Sequence, residues 1–276
     1  MLTTQTVLPK LAVLLQDPTV HYWEKKALLT AQTSLKNQVN SKIVLERLEV
    51  ELRPLALRNN LTANMADFYL QLTGNPAGQM EFNYDIHYQK DPPFQERAIF
   101  SGGCFWCLVE PFDRRTGVKA VISGYIGGTA PHPSYEQVSH DHTGYVEAVE
   151  IIYDSRLIKY QDILQTYWQL IDPTDASGQF DDRGDHYRPV IFYTDQHQLQ
   201  LAEADKHRME QSNHYKAPIV VGIEAATKFW PAENYHQNFY QKFKARYRRL
   251  ERTRKQVLLF QHLRGRLRAL FKGPHK

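Results

Sequence analysis

Cysteine is scarce in this 276-residue chain, which contains only two. Two thiols form at most one disulfide, which excludes a small secreted scaffold stapled by several disulfides. No stretch approaches the ~20 consecutive apolar residues of a membrane-spanning helix. Residues 1–5 also lack the basic segment and apolar run that begin a secretory signal. We therefore expect a cytoplasmic protein in a reducing compartment.

Excess charge is also small, with a formal net charge of +4, but it is unevenly distributed. Residues 241–276 carry 13 Lys or Arg and one Glu, a formal charge of +12, so residues 1–240 carry −8. The sequence thus predicts an acidic body followed by a basic tail.

The basic tail has a helical apolar pattern with arginines between its leucines. The leucines that share one face are Leu259, Leu263, Leu267 and Leu270. A basic amphipathic helix of this kind can bind an anionic membrane surface or nucleic acid. We favour the alternative that its apolar face packs on the N-terminal helices while its basic face is solvated.

The remaining chain divides by its periodicity into two further segments. Residues 1–94 are predicted to be a helical N-terminal extension, ending near the Asp-Pro-Pro at residues 91–93. Within it, Pro54 is expected to kink or break one helix, and Asn64 is the candidate N-cap of the next. The role of this extension is open: it is a regulatory or partner-binding module, or only packs.

Residues 95–240 alternate strands and helices, which predicts an α+β fold, and residues 241–276 form the amphipathic tail. Apolar runs predict strands at residues 118–123 and 146–153, and Asp195 can cap a later helix.

The two cysteines, Cys104 and Cys107, lie together in a strand–Gly-Gly–helix context at residues 99–107. A helix N-terminus lowers the pKa of a thiol, and a second thiol one turn later can capture an oxidised first sulfur. Three interpretations remain open from the residues alone: half of a zinc site, two buried structural thiols, or a thioredoxin-like thiol–disulfide oxidoreductase. The bulky Phe105 and Trp106 between the cysteines favour a pocket wall beside the thiol.

The sequence around these cysteines resembles the A-type peptide-methionine sulfoxide reductases. The segment Gly-Cys-Phe-Trp-Cys at residues 103–107 is similar to the active-site motif of that family. Further similar blocks follow in the family's order at residues 123–128, 133–138, 143–149, 171–175, 179–188 and 231–237. The resemblance covers about residues 96–240. It implies a two-layer α/β sandwich with a mixed sheet, the ferredoxin-like fold of the family.

The resemblance also implies roles for individual residues. Cys104 is the nucleophile that attacks the sulfoxide sulfur, Glu147 the acid that protonates the oxygen, and Cys107 the resolving thiol. Tyr135 and Tyr187 match the two tyrosines that bind the sulfoxide oxygen, and Asp182 matches an aspartate that polarises the site. Phe105 and Trp106 are expected to enclose the methyl group of the substrate.

Glu147 also stands out from the strand pattern itself. It begins an apolar strand in phase with Val149 and Ile151, so its side chain is expected to point into a desolvated pocket. Burial disfavours the carboxylate and keeps a proton on it near neutral pH. The alternative is a carboxylate at the strand end that faces water.

The implied function is the reduction of methionine-S-sulfoxide, free or in proteins, by a peptide-methionine (S)-S-oxide reductase. The expected cycle forms a Cys104–Cys107 disulfide that thioredoxin or another dithiol reduces, with no prosthetic cofactor and no metal. Resolution of the sulfenic acid by an external thiol is the alternative to Cys107. A thioredoxin-like oxidoreductase and a redox-responsive binding protein are the competing functions.

Overall fold

A computed structural model describes residues 3–140, 142–212 and 214–271, without the side chains of residues 262, 264 and 266–271. The chain forms two compact units. The helical unit comprises Met1–Phe82, Ser134–Glu136 and Glu233–Gln237. The sheet unit comprises Asn83–Pro133, Gln137–Ala232 and Asn238–Lys276.

The elements are numbered in chain order. The α-helices are α1 (Thr4–Gln16), α2 (Tyr22–Lys36), α3 (Ser41–Leu57), α4 (Ala63–Leu72), α5 (Asp85–Tyr88), α6 (Trp106–Asp113), α7 (Tyr135–His140), α8 (Tyr160–Leu170), α9 (Gln196–Gln211), α10 (Phe239–Lys242) and α11 (Lys244–Phe271). The strands are β1 (Gln95–Ser101), β2 (Val118–Ile126), β3 (Val146–Asp154), β4 (Gly178–Gln179), β5 (Asp182–Arg183), β6 (Val190–Tyr193), β7 (Gly222–Ala225) and β8 (Trp230–Pro231). Short 3-10 turns occupy Pro76–Gln79, Asp185–Tyr187 and Asn234–His236.

The helical unit has a core of its own, formed by apolar residues at helical spacing on α1 to α4. Its fully buried members, at 1% exposure or less, are Val7, Leu11, Leu28, Leu48, Leu52 and Met65. Burying one Leu, Val or Met side chain contributes about 1.5–3 kcal/mol, so these positions supply the main driving force for packing the four helices.

A buried carboxylate fixes the starts of two helices in this unit. Glu24 accepts hydrogen bonds from the backbone N–H groups of His21 and Thr62, both at 2.9 Å, and from the Thr62 hydroxyl at 3.0 Å. His21 and Thr62 are the N-cap residues of α2 and α4. One negative charge therefore serves two helix N-termini, where unpaired N–H groups favour it.

The sheet unit is built on a six-stranded sheet in the order β7-β6-β1-β3-β2-β8. The β6–β7 pair is parallel and the other pairs are antiparallel, so the sheet is mixed. Every residue of β3 is buried, as expected for a central strand covered on both faces. The predicted α+β class with a mixed sheet is confirmed.

The C-terminal helix α11 belongs to the sheet unit, which corrects the predicted packing of the tail on the N-terminal helices. The predicted apolar face is also wrong where it is described, since Leu259 and Leu263 are exposed while Arg254 and Leu258 are buried. A buried arginine that finds carbonyl acceptors holds the helix in this orientation. Leu267 and Leu270 lie outside the residues whose side chains are described.

Among the described residues, no helix combines the length and the apolar character required to cross a membrane.

Candidate active site

Strand pairing brings three segments of the sheet unit together at one end of the neighbouring strands β6, β1 and β3. Strand β1 pairs antiparallel with both β3 and β6, and Ser101 at its C-terminal end lies opposite Ala148 and Val190. The C-terminal end of β1 therefore meets the N-terminal ends of both neighbours. The cysteine loop follows Ser101, Glu147 directly precedes Ala148, and Tyr187 directly precedes the Arg188–Pro189 link to β6.

Two glycines shape the cysteine loop at the end of β1. Gly103 has a φ of +77°, and a Cβ there would lie 2.7 Å from the Cβ of Gln179. Only glycine combines this backbone conformation with so close an approach. The Gly103 N–H donates a hydrogen bond to the Tyr187 carbonyl oxygen at 2.9 Å, so the loop is fixed against the segment that carries Tyr187.

Glu147 lies beneath this loop and is 1% exposed. Its carboxylate oxygen accepts the backbone N–H of Phe105 at 3.1 Å. Burial raises the pKa of Glu147 well above its ordinary value, although the hydrogen bond from the Phe105 N–H lowers it. Glu147 is thus a buried acid bonded to the backbone of the cysteine loop, in the orientation that the strand pattern predicted.

The two thiols are reduced and buried. Hydrogen bonding to the Cys107 thiol, together with burial, raises the pKa of Cys104 well above its ordinary value. The same bond lowers the pKa of Cys107. The predicted lowering of the Cys104 pKa by a helix N-terminus is therefore wrong. Cys104 precedes the N-cap residue Phe105, whereas Cys107 lies inside the first turn of α6, where unpaired N–H groups stabilise a thiolate.

Asp182 also reaches the cysteine loop. It begins β5, opposite Gln179 of β4. Burial raises the pKa of Asp182, whereas hydrogen bonding to the Cys104 backbone lowers it. The structure thus places a second carboxyl group beside the Cys104 backbone.

The two predicted tyrosines lie in different units. Tyr187 lies in the sheet unit, where its carbonyl group holds Gly103. Tyr135 is grouped with the helical unit, where its N–H donates to Glu233 at 3.0 Å and its ring centroid lies 4.6 Å from that of His236. Hydrogen bonding of either hydroxyl to a substrate stays a prediction.

The aromatic pair between the cysteines occupies two environments. Phe105 is completely buried, with its ring centroid 6.1 Å from that of Tyr125. Trp106 is half-buried and stacks on Phe239 at 3.7 Å with nearly parallel rings. The Arg246 guanidinium lies 5.2 Å from the Trp106 ring centroid. Enclosure of a substrate methyl group by this pair stays a prediction.

Arg254 of α11 contacts the second cysteine and was not predicted from the sequence. Its guanidinium donates to the Cys107 carbonyl oxygen at 2.8 Å. The sequence feature that could have indicated an external donor is Pro111, because a proline four residues after Cys107 cannot supply the usual helical N–H to that carbonyl.

Histidines distant in sequence do not complete a metal site with these cysteines in the part of the chain that is described. No group of three or more His, Cys, Asp or Glu side chains there is arranged to hold a metal ion. In the described residues, the cysteine loop thus brings together two thiols and two carboxyl groups.

Comparisons with known proteins agree with this arrangement. Residues 96–264 match the family model described as peptide methionine sulfoxide reductase. A peptide methionine sulfoxide reductase MsrA of Streptococcus equi subsp. zooepidemicus is 55% identical over 163 residues, which are 59% of this chain and 96% of the relative. MsrA 1 of Lactococcus lactis subsp. lactis is 50% identical over 178 residues, 64% of this chain and 97% of the relative.

A solved structure is similar to this chain in fold. Mxr1 from Saccharomyces cerevisiae in reduced form aligns with a TM-score of 0.51 and 24% identity over 56% of this chain and 90% of that one. At this identity the likeness concerns the fold alone.

The helical unit matches a different family. Residues 3–77 match the model described as the bacteriocin immunity protein family. This match covers α1 to α4, and the sequence reasoning missed it because an all-helical segment with an ordinary amphipathic pattern carries no catalytic motif.

Proposed function

The chain belongs to the peptide methionine sulfoxide reductase family, and from this premise we propose that Cys104, Glu147 and Cys107 carry out its reduction of methionine sulfoxide in a two-thiol cycle. The observation that carries the proposal is a buried acid, Glu147, that accepts the N–H of Phe105, the residue after Cys104, at 3.1 Å. Thiol–disulfide exchange requires no such acid, whereas removal of a sulfoxide oxygen does.

In the first half of the cycle, the Cys104 sulfur attacks the sulfoxide sulfur. Glu147 donates a proton to the sulfoxide oxygen as its bond to sulfur weakens. The oxygen is transferred to Cys104, which becomes a sulfenic acid, and the methionine thioether leaves. Cys104 is thereby oxidised by two electrons and the substrate is reduced by two. The proton lost from the Cys104 thiol restores Glu147.

In the second half, Cys107 attacks the Cys104 sulfenic acid. A Cys104–Cys107 disulfide forms, the S–O bond breaks and the oxygen leaves as water. A dithiol then reduces the disulfide. We propose that this reductant is thioredoxin and that the reaction takes place in the cytoplasm. Cysteine sulfur and the external dithiol supply all the electrons of the cycle, so it requires no prosthetic group and no metal.

The substrate pocket we propose selects the S epimer of methionine sulfoxide, free or in proteins. Tyr187 donates a hydrogen bond to the sulfoxide oxygen, and Asp182 polarises the site from its position beside the Cys104 backbone. Phe105 and Trp106 enclose the methyl group. Since sulfoxide sulfur is a stereocentre, fixing the oxygen and the methyl group together leaves one epimer able to present its sulfur to Cys104.

The first test supplies each epimer separately. We expect methionine to form from the S epimer with thioredoxin, thioredoxin reductase and NADPH, and the R epimer to react at least about 100-fold more slowly, as a site that binds the oxygen by hydrogen bonds rejects a misplaced one. Chromatography of the product and NADPH consumption measure the two rates. Turnover of the R epimer alone would contradict the assignment, and S turnover with a chemical dithiol but not with thioredoxin would remove the proposed partner.

For the helical unit we propose a second function, protection of the cell against a bacteriocin. The match of residues 3–77 to the bacteriocin immunity protein family and the separate apolar core of α1 to α4 support it. This core requires none of the residues assigned to sulfoxide reduction.

Survival of a bacteriocin-sensitive host tests this second function. Cells that express the full chain are expected to survive at least one member of a bacteriocin panel better than cells with an empty vector. A full-length Cys104→Ser variant should protect equally, since reduction is not involved. Leu48→Asp, which puts a charge into the core of the helical unit at a position with 1% exposure, should remove the protection. Protection that is lost with Cys104→Ser, or absent throughout the panel, would contradict the proposal.

A further inference from the structure

The carbonyl group of Cys107 has lost its usual helical partner. In an α-helix this carbonyl accepts the N–H of the residue four positions later. That residue is Pro111, which lies inside α6 and has no N–H. A buried carbonyl without a donor is costly, so another group must serve it.

Arg254 of α11 supplies that donor. Its side chain is 7% exposed, its Nη1 donates to the Cys107 carbonyl at 2.8 Å, and its Nη2 donates to the carbonyl of Leu170. Leu170 is the last residue of α8, where carbonyls have no partner within the helix. One guanidinium therefore joins the first turn of α6 to the end of α8.

Two further contacts fix α11 in this position. The Tyr247 hydroxyl donates to Glu110 of α6 at 2.8 Å, and the Gln261 amide donates to Asp172 at 2.7 Å. Asp172 is also bonded through its backbone to the Gln179 side chain, and Gln179 packs against Gly103. The helix is thus connected to both sides of the cysteine loop.

The charge of Arg254 also acts on the Cys107 sulfur. The groups whose charge or hydrogen bonding couples to this thiol are Cys104, Glu147, Asp182, Tyr247, Glu251 and Arg254. The hydrogen bond with Cys104 has the largest effect on the pKa of Cys107, which it lowers, and burial raises this pKa. Arg254 comes next and lowers it, whereas Asp182 and Glu251 raise it. A cation beside a buried thiol favours the thiolate, which is the form that attacks.

We propose that Arg254 is a positioning residue for the resolving step, because it holds the first turn of α6 in the place from which Cys107 attacks the Cys104 sulfenic acid. This inference rests on the two-thiol cycle proposed above. In that step the Cys107 thiolate forms the S–S bond, and the departing oxygen of Cys104 takes up a proton to leave as water. The first step, oxygen transfer from the substrate to Cys104, requires neither the thiolate of Cys107 nor the Arg254 charge.

A single-turnover experiment on the full chain separates the two steps. Reduced enzyme is mixed with one equivalent of methionine-S-sulfoxide without reductant, and methionine and the Cys104–Cys107 disulfide are followed by quenching and peptide mapping. In Arg254→Gln, which lacks the charge and one of the two carbonyl contacts, we expect disulfide formation at least about threefold slower, because a smaller thiolate fraction is only partly offset by the greater nucleophilicity of a more basic thiolate. Methionine formation should stay within about twofold of wild type, since Arg254 takes no part in oxygen transfer.

Two companion variants make the result specific to Arg254. Arg254→Lys keeps the charge with a single ammonium donor and should recover most of the rate of disulfide formation. Arg252→Gln removes an exposed arginine from the same helix and should behave as wild type. The pH dependence of disulfide formation should move to higher pH in Arg254→Gln and return towards the wild-type profile in Arg254→Lys.

Several results would overturn the inference. Wild-type disulfide formation and pH profile in Arg254→Gln would remove any role of the arginine. Equal slowing of both steps, or the same slowing in Arg252→Gln, would indicate a general effect on the fold. Absence of a Cys104–Cys107 disulfide from the wild-type enzyme itself would show that the two-thiol cycle has failed, which is a result distinct from any effect of Arg254.

Discussion

Cys104→Ser is expected to abolish the production of methionine from methionine sulfoxide, with a loss on the order of 10⁴-fold or more, as is usual when a nucleophile is removed. The reason lies in redox chemistry as well as nucleophilicity. Cysteine sulfur can accept the sulfoxide oxygen as a sulfenic acid, whereas serine oxygen has no comparable oxidised form. The measurement is the yield of methionine per enzyme molecule in the absence and presence of thioredoxin.

Cys107→Ser is the matched control, because it changes the same atom in the neighbouring thiol. This variant should still produce about one methionine per enzyme molecule, since the first half-reaction needs one thiol. Cys104 should then remain as a sulfenic acid that a sulfenic-acid probe labels, and thioredoxin should not restart turnover. Wild-type turnover by Cys107→Ser with thioredoxin would instead show that an external thiol resolves Cys104. Circular dichroism and thermal unfolding show whether both variants keep the native fold.

The central strands could be predicted closely from the sequence. Apolar runs predicted strands at residues 118–123 and 146–153, and the structure has β2 at Val118–Ile126 and β3 at Val146–Asp154. Strands that are buried along their whole length leave a continuous apolar signal, and this signal does not depend on distant partners. The capping of α9 by Asp195 is confirmed for a similar reason, since its side chain accepts the nearby Gln198 N–H.

Helix limits in the helical unit were less predictable because they depend on tertiary partners. Asn64 was the predicted N-cap of α4, but Thr62 has that position, held by Glu24 from another helix. Asn64 instead donates to Asp17 at 2.6 Å. Pro54 was expected to kink or end α3, yet the helix continues to Leu57. A buried carboxylate 38 positions away leaves no local signal at the cap that it serves.

The candidate site was likewise predictable from the sequence only in part. Sequence similarity selected Cys104, Glu147 and Asp182, and the structure brings all three to the cysteine loop, while their roles stay predictions. Three further features also stay predictions: the segment boundaries at residues 94 and 240, the two-layer ferredoxin-like arrangement and the cytoplasmic location. Thiol acidity was mispredicted, because the motif indicated a helix start but not which cysteine lies inside the first turn. A role of the tail in binding membranes or nucleic acid is not supported.

Glu147→Gln is expected to slow the reduction of the sulfoxide by about 10²–10⁴-fold, the usual contribution of a general acid. Glutamine is close to glutamate in size and can still accept the Phe105 N–H that glutamate accepts at 3.1 Å, so the cysteine loop should keep its position. The amide cannot release a proton to the departing oxygen. Single-turnover methionine formation, before any step that involves Cys107 or thioredoxin, measures this loss directly.

The pH profile identifies the acid more sharply than the rate at one pH. Burial raises the pKa of Glu147, so its proton is retained to higher pH than in an ordinary glutamate and is lost as the pH rises through the raised pKa. Cys104, whose pKa is also raised, gains reactivity over an alkaline range. The wild-type rate should therefore rise and then fall with pH, and Glu147→Gln should keep the rise and lose the fall. A rate for Glu147→Gln equal to the wild-type rate across neutral pH would assign the proton to another group, since a glutamine at this position has none to give.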